Sequence, residues 1–356
     1  MNQKYKVLII LPRNMDFSIE HASSIDLVAY DFARHSVFSA ETVVCGMTSG
    51  TRLPGIDFVE MPAGMSSRDG VKFCVDLVRR FDPRVIVVHQ HIPTAVRLCR
   101  AVRDRAIILH RHNYIRHKRL SFFKRIYKSY LLNCLDHFVF VSDSVRDNFT
   151  EHFGKLGPKS ITIHNFLDFS EWNPNPERRK EIVFAGRCVP EKGVLEAVRA
   201  LEILKEQTEW RAKFILSRCA EQPDYAETAR RLIAHNDKID VLTEQPFHVV
   251  KRTMEHAAIA LVPSLWNEPF GRTALEAHAG GAAVISSGRG GLREVSGDFA
   301  VYVDPTDVRA FSEAIHGLMH DASARDWYAV SGHRVAHEHF SKSAVLPRYD
   351  RLLRLT

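Results

Sequence analysis

The chain has 356 residues, 45% hydrophobic and 26% charged, the proportions of a soluble globular enzyme with length enough for two cores. Its six cysteines are scattered with no C-x-x-C pair, which argues against a disulfide framework and a structural zinc site and suits a reducing compartment. The formal net charge of +7 permits nucleic-acid or membrane-surface partners, and no apolar run approaches the length of a membrane span.

Short apolar runs alternate with amphipathic stretches along the whole chain, the pattern of an α/β fold with parallel sheets. In the first half, strands are predicted at 6–11, 41–45, 57–61, 84–89, 106–110, 137–142 and 160–164. The first of these, Val7 to Leu11, is too short for a signal peptide and reads as a buried strand. The loop after it, Pro12-Arg13-Asn14-Met15-Asp16, has no glycine to admit a pyrophosphate. That argues against a nicotinamide or flavin enzyme and moves phosphate chemistry into the second half.

Between Arg97 and Lys128 the chain carries eleven Arg or Lys and one acid, Asp104, a local net of +10. Leu120, Phe123, Ile126, Tyr127, Tyr130 and Leu131 fall at helical spacing against Arg119, Lys124, Arg125 and Lys128. Such a helix either turns its apolar side into the domain core or lies on an anionic membrane surface through 116–131. The stripe 97–128 also permits nucleic-acid binding, although no helix-turn-helix, RNP-type or zinc signature accompanies it.

Residues 168–180, with Trp172-Asn173-Pro174-Asn175-Pro176, read as an exposed linker. They would separate a first domain, 1–167, from a second, 181–339, with a C-terminal helix at 340–356 packing back on the first. Strands are predicted in the second half at 181–185, 213–217, 239–243, 258–262, 282–286 and 300–303, with helical stretches at 193–207, 225–235 and 308–319. Nineteen histidines raise the question of a metal, but H-E-x-x-H, a compact His/Asp cluster and Asp-x-Asp are all missing from the sequence. A metal-independent site is expected.

Gly186-Arg187-Cys188-Val189-Pro190-Glu191-Lys192-Gly193 follows the first strand of the second half. Arg187 offers a planar fork and Lys192 a point charge, five residues apart before a helix, a geometry suited to a diphosphate. Farther on, Asn267-Glu268-Pro269-Phe270-Gly271-Arg272-Thr273-Ala274-Leu275-Glu276 sets two carboxylates about a helix start. Pro269 suits the first turn, and the Phe270 and Gly271 N–H groups would face outward as an anion site. Eight residues of helix rise about 12 Å, so Glu268 and Glu276 would address different ends of one extended ligand with an anionic middle. A sugar nucleotide has that shape.

Taken together, Gly-Arg-x-x-x-Glu-Lys-Gly at 186–193 and Glu-x7-Glu inside Pro-Ser-x-x-x-Glu-Pro-Phe-Gly resemble family 4 of the retaining glycosyltransferases, the glycosyl transferases of group 1. The resemblance runs over 181–305 and includes 258–264, Gly280-Gly281 and Gly290-Gly291-Leu292-Arg293-Glu294. It implies the GT-B fold, two Rossmann-like domains facing each other across a cleft. It implies transfer of a hexosyl group from a UDP-sugar or GDP-sugar to a saccharide or lipid-linked acceptor, without metal or other cofactor. The product would be an α linkage in bacterial lipopolysaccharide or exopolysaccharide. Arg187 and Lys192 would bind the diphosphate, Glu276 the ribose, Glu268 the sugar hydroxyls, and the Phe270 and Gly271 N–H groups the phosphates. His110, the first His after the fifth strand, would contact the donor sugar near the reacting carbon, with His112 next in line.

The family commonly has a glycine pair soon after the first strand, whereas 12–24 is glycine-free here. Arg13, Ser23 and Ser24 therefore become candidates for acceptor or phosphate contacts. Retention without an obvious nucleophile implies front-face substitution, with Arg187 and Lys192 stabilising the leaving diphosphate. A covalent intermediate on Glu268 is the alternative. The resemblance favours the membrane reading of the basic helix, hence a cytoplasmic enzyme peripheral to the inner face of the membrane. A sugar-nucleotide epimerase or a non-catalytic binding module on the same fold are the remaining readings.

Overall fold

The computed structural model describes residues 4–115 and 121–356. They divide into two compact units, Met1–Asn165 with Ser343–Thr356, and Phe166–Lys342.

In the first unit the chain runs β1 (Val7–Ile10), α1 (Ser24–His35), β2 (Thr42–Gly46), β3 (Asp57–Glu60), α2 (Ser67–Phe81), β4 (Val85–His89) and α3 (Ile92–Ala101). It continues through β5 (Ala106–Arg111), α4 (Phe122–Leu132), β6 (His137–Phe140), α5 (Asp143–Phe153) and β7 (Ser160–Thr162). The strands form one sheet in the order β3-β2-β1-β4-β5-β6-β7, every pair parallel. The central strands Val7–Ile10 and Val85–His89 are buried at every position, as a sheet covered on both faces requires.

The second unit runs β8 (Arg179–Arg187), α6 (Val194–Leu204), β9 (Arg211–Ser217), α7 (Pro223–Ala234), β10 (Ile239–Thr243), α8 (Phe247–His256), β11 (Ala257–Val262) and α9 (Arg272–Ala279). Then come β12 (Ala283–Ser286), α10 (Leu292–Ser296), β13 (Ala300–Tyr302), α11 (Val308–His320) and α12 (Ala322–Phe340). Its sheet is also all parallel, in the order β10-β9-β8-β11-β12-β13. One core joins Ile182, Phe184 and Phe214 of the sheet to Leu201 of α6 and Phe311 and Ile315 of α11. The last helix, α13 (Lys342–Leu355), returns to the first unit. There Asp350 accepts from the Ser36 hydroxyl at 2.5 Å, and Tyr349 packs on Phe32 with ring centroids 4.6 Å apart.

All thirteen predicted strands form, each with ends within two residues of those expected. One expectation fails and one of two alternatives is removed. Residues 168–180 are not an exposed linker but part of the second unit. Phe169 and Trp172 are buried, Asn173 donates to the Glu255 carboxylate at 2.8 Å, and Arg178 donates to the carbonyl oxygens of Glu255 and Gly280. The aromatic side chains outweighed the prolines. In α4, Phe122, Phe123, Ile126, Tyr127 and Tyr130 are more than half exposed and only Leu132 is buried. The apolar side of this helix therefore does not enter the core. Residues 116–120, with Arg119 and Leu120 of the basic stripe, lie outside the described residues.

Candidate active site

In a parallel α/β sheet, ligands bind beyond the carboxyl ends of the strands where the strand order reverses. In the second unit that point lies between β8 and β11. Arg187 ends β8, and 263–268 follow β11. After Arg187 the chain makes one 3-10 turn, Pro190–Lys192, and passes Gly193 at φ +71° into α6. A Cβ at Gly193 would collide with the Pro263 carbonyl, so only glycine lets this turn lie against the loop after β11. The Leu265 N–H donates to the Glu191 carbonyl at 2.8 Å and ties the two loops together.

That approach brings Lys192 to Glu268. The ammonium lies 2.6 Å from Glu268 Oε1, and the Ser264 hydroxyl donates to the same oxygen at 2.6 Å. Burial alone would push the Glu268 carboxyl up. The Lys192 charge and hydrogen bond, together with Ser264, hold it below the usual carboxylate range. Arg187 is partly exposed and among the described residues has only a long 3.9 Å approach to Glu221, which leaves its fork available to an anion.

The helix after Glu268 starts later than the sequence suggests. α9 begins at Arg272, with Gly271 as its N-cap at φ +107°, so Pro269 and Phe270 stand in the loop before it. This loop is pressed onto a second glycine loop. Gly291 donates to the Glu268 carbonyl at 2.7 Å, and a Cβ on Gly291 would come within 2.7 Å of Phe270 Cα. A helical rise therefore does not apply between 268 and 272, and the 12 Å separation of the two carboxylates does not follow. Both feel the same lysine: the Lys192 charge acts on Glu276 as well as on Glu268. Glu276 is buried on α9, where Arg272, one turn earlier, donates to it at 2.8 Å. Burial raises the Glu276 carboxyl above the usual range against the pull of Arg272 and Lys192.

The first unit has its own reversal between β1 and β4. A cavity of about 70 Å³ lies there, lined among others by Arg13, Asn14, His91 and Thr94. Arg13 donates to the Met65 carbonyl at 2.6 Å, and His91 Nδ1 is 2.7 Å from the Thr94 hydroxyl. Burial lowers the His91 pKa, helped by the charges of Arg13, Arg97 and Arg111. Ser23 is not in this lining. It caps α1, its hydroxyl accepting from the Ile25 and Asp26 N–H groups and donating to Asp26 at 2.7 Å. Ser24 is the exposed first residue of that helix.

His110 is the penultimate residue of β5, at its carboxyl end. It pairs with His89 across β4 and β5, is wholly buried, and meets Phe32 edge-on at 5.7 Å. Strand alternation turns this position to the sheet face that α1 covers through Phe32. His112, just past β5, is also buried, with Nε2 2.9 Å from His89 Nδ1. The three rings place nitrogen atoms within 4.8 Å of one another, a set able to hold a metal ion. His89 and His112 are nearly coplanar and meet edge to edge through that nitrogen contact, with centroids 4.9 Å apart, and His110 lies near-parallel to His112 at 4.4 Å.

Sequence reasoning passed over Arg272 and Ser264 as functional residues, and His91 and Thr94 in the first unit. Arg272 and Ser264 stood inside the quoted motifs. The other two carried only the weak signal of a His-x-His pair at 89 and 91.

Comparison with known proteins bears on the family and the fold. The family model described as Glycosyl transferases group 1 matches residues 167–331, and that described as Glycosyltransferase Family 4 matches 33–171. A glycogen synthase of Mycobacterium tuberculosis is 30% identical over 212 residues, 55% of this chain and 49% of the relative. The O-antigen chain mannosyltransferase RfbU of Salmonella typhimurium is 25% identical over 205 residues, 56% of each chain. The chain thus spans about half the length of the curated relatives it matches. Among solved structures, a glycosyltransferase from Rickettsia africae superposes with a TM-score of 0.81 at 14% identity, covering 100% of this chain and 99% of the other. Anabaena HepE, solved in complex with UDP, gives 0.80 at 16% identity, covering 99% and 100%. These likenesses show a shared fold.

Proposed function

The chain belongs to the family 4 glycosyltransferases, of GT-B fold, and from that premise we propose that it moves a hexosyl group from a nucleotide-diphosphate sugar to a glycan or glycolipid acceptor with retention. The observation that carries this reading is the Lys192–Glu268 pair at the β8/β11 reversal, with Arg187 ending β8 and Glu276 paired to Arg272 on the helix that follows. Arg187 and Lys192 would take the diphosphate, Glu276 the ribose hydroxyls and Glu268 the sugar hydroxyls. The acceptor oxygen would attack the anomeric carbon on the face from which the diphosphate leaves. As the bond from that carbon to the diphosphate breaks, a diphosphate oxygen would take the acceptor proton and the two cations would balance its growing charge. A Glu268 held anionic by Lys192 suits accepting hydrogen bonds, not donating a proton. No metal is needed in this scheme, so chelation should leave turnover intact.

In the first unit, Arg13 and His91 in the small cavity after β1 suit an acceptor hydroxyl or phosphate better than Ser23, whose hydroxyl caps a helix. His112, one residue past the end of β5 and a little less enclosed than His110, is the better candidate for the donor sugar. The exposed aromatic side of α4 beside Lys124, Arg125 and Lys128 supports an anionic membrane surface, and with it a lipid-linked acceptor of lipopolysaccharide or exopolysaccharide type. No helix among the described residues is long and apolar enough to cross a membrane.

The test is transfer and ligand stabilisation together. Thermal shift against UDP, GDP, ADP and their sugars should single out one nucleotide, since stabilisation follows concentration over Kd. Arg187→Ala and Glu276→Ala should both lose that shift and the transfer from the matching sugar nucleotide while melting near wild type. Full kcat/KM in either variant would remove the assignment.

A further inference from the structure

The six cysteines are scattered along the chain, yet the fold brings them together as three pairs. Cys45 meets Cys74, Cys99 meets Cys134 and Cys188 meets Cys219, the two thiols of each pair within hydrogen-bonding reach. All six are free thiols, and the pairs differ in access. Cys45 and Cys74 are both buried. Cys99 and Cys134 are half-buried, and each donates to a backbone carbonyl, Cys99 to that of Cys134 at 2.7 Å and Cys134 to that of Leu131 at 3.2 Å. Cys188 is buried, Cys219 is partly exposed, and Cys188 directly follows Arg187 of the candidate donor site.

The strand ends explain this third meeting. β8 and β9 stay in register as far as Arg187 opposite Ser217, and the Cys188 N–H donates to the Ser217 carbonyl at 2.8 Å. The chain then turns at Arg218, φ +54°, and Cys219 opens the 3-10 turn Cys219–Glu221. Neighbouring strands lie about 4.8 Å apart, inside the roughly 4.4 to 6.8 Å that a disulfide spans between α-carbons. Packing accounts for Cys188, a buried member of the core of this unit. It does not call for a thiol at Cys219, whose neighbours Arg218, Ala220 and Glu221 are exposed. Burial, and after it the Cys219 sulfur, push the Cys188 thiol up to about 11, so Cys219 is the thiol that an oxidant meets first. The same turn carries Glu221, whose carboxylate is 3.0 Å from Arg218 and 3.9 Å from Arg187.

We propose that Cys188 and Cys219 form a site of reversible oxidation by a small disulfide such as glutathione disulfide, and that closing the bond draws Glu221 onto Arg187. Cys219 loses its proton and attacks one sulfur of the small disulfide, whose bond breaks and releases one glutathione that takes up a proton. Cys188 then gives up its proton and attacks the Cys219 sulfur, the mixed disulfide breaks, and the second glutathione leaves protonated. Two protein thiols are oxidised, and one glutathione disulfide is reduced to two thiols. Thiols in contact stand farther apart than the roughly 2.05 Å of a disulfide, so one side must move. The exposed turn yields before the buried strand end. Glu221 then closes on the Arg187 fork that a diphosphate would use. This consequence rests on the donor-site reading, whereas the disulfide does not.

The experiment incubates the full chain with glutathione disulfide, unfolds it in an alkylating reagent and maps its peptides by mass spectrometry without reduction. A peptide pair joined through Cys188 and Cys219 should appear, and should vanish after dithiothreitol, with Cys45 and Cys74 alkylated throughout. Cys188→Ala should stop at one glutathione on Cys219, and Cys219→Ser should leave Cys188 unmodified. Absence of the joined pair overturns the site, as does oxidation of the buried Cys45 and Cys74 to the same extent. Thermal shift with UDP, GDP and ADP on the same samples reads the consequence. Oxidation should remove the nucleotide shift, dithiothreitol should restore it, and oxidised Glu221→Gln should keep it. An unchanged shift in the oxidised wild type, or its loss in oxidised Glu221→Gln, overturns the movement of Glu221 onto Arg187. No shift with any of the three in the reduced wild type would mark failure of the donor-site reading and remove that consequence with it, while the peptide map decides the disulfide separately.

Discussion

Lys192 serves two buried carboxylates whose protonation it shifts unequally, and their opposite shifts give the residue-scale prediction. The Glu276 carboxyl titrates higher in the fold than in the unfolded chain. Below the ordinary carboxyl pKa both states are neutral and Glu276 is without effect. As pH rises through its raised folded pKa the fold must hold a charge that it disfavours, so at neutral pH Glu276 costs stability. Glu276→Gln should therefore melt at or above the wild-type temperature while losing nucleotide stabilisation. Glu268 has the opposite sign. Its folded pKa is depressed, so its stabilisation is present above the ordinary carboxyl pKa and is lost as pH falls through the folded value. Glu268→Gln leaves Lys192 without its charge partner and should cost roughly 3 kcal/mol, the low end for a broken buried pair, because Lys192 keeps some water contact. Thermal melts of the two variants at pH 7 decide this. A lower melting temperature for Glu276→Gln than for Glu268→Gln would contradict it.

At the scale of elements, the loops after β8 and β11 meet because Gly193 has no side chain, and α9 is aimed by Gly271 packing on Leu292. Both glycines sat in motifs that were readable in the chain. Their task was not, since a left-handed φ and a close approach belong to backbone that is distant in sequence. The helix α4 shows the reverse. Its spacing was plain, yet spacing is the same for a face buried in a core and a face turned to a membrane. The exposure of Phe122, Phe123 and Tyr130 removes the core reading. Reversing Lys124, Arg125 and Lys128 to Glu should release the protein from vesicles containing anionic lipid and leave turnover of a soluble acceptor unchanged. Binding should also fall with salt in the wild type, since the attraction is screened. Undiminished co-sedimentation of the triple variant would remove the membrane reading.

At the scale of the whole molecule the two units should respond differently to acid. His89, His110 and His112 are buried together in the first unit; burial lowers His89 to about 3 and the other two well below the usual value. Above pH 6.5 they are neutral folded or unfolded, and stability is at its fullest. As pH falls from there, the unfolded chain takes up protons that the fold refuses. Each histidine then removes up to about 1.4 kcal/mol per pH unit until its folded pKa is reached. All four tryptophans, Trp172, Trp210, Trp266 and Trp327, lie in the second unit. On urea unfolding at pH 5, far-UV circular dichroism should therefore lose part of its signal before tryptophan fluorescence changes. At pH 7.5 the two probes should lie closer together. Identical separation at both pH values would mean that the cluster does not set the acid limit.

The sequence by itself determined the strand inventory of both units, because a strand buried on both faces must be a continuous apolar run, and such runs are visible one residue at a time. It also determined the family motifs, because Arg187, Lys192, Glu268 and Glu276 lie at fixed spacings around two strand ends. Tertiary structure alone decided which side chains are free to act. Ser23 is spent on a helix cap, His110 is closed under α1, and Trp172 turns an apparent linker into core. It also decided that Glu268 pairs with Lys192 and Glu276 with Arg272. Hydrogen bonding, burial and charge pairing depend on neighbours that the chain brings together from far apart, and no local spacing encodes them.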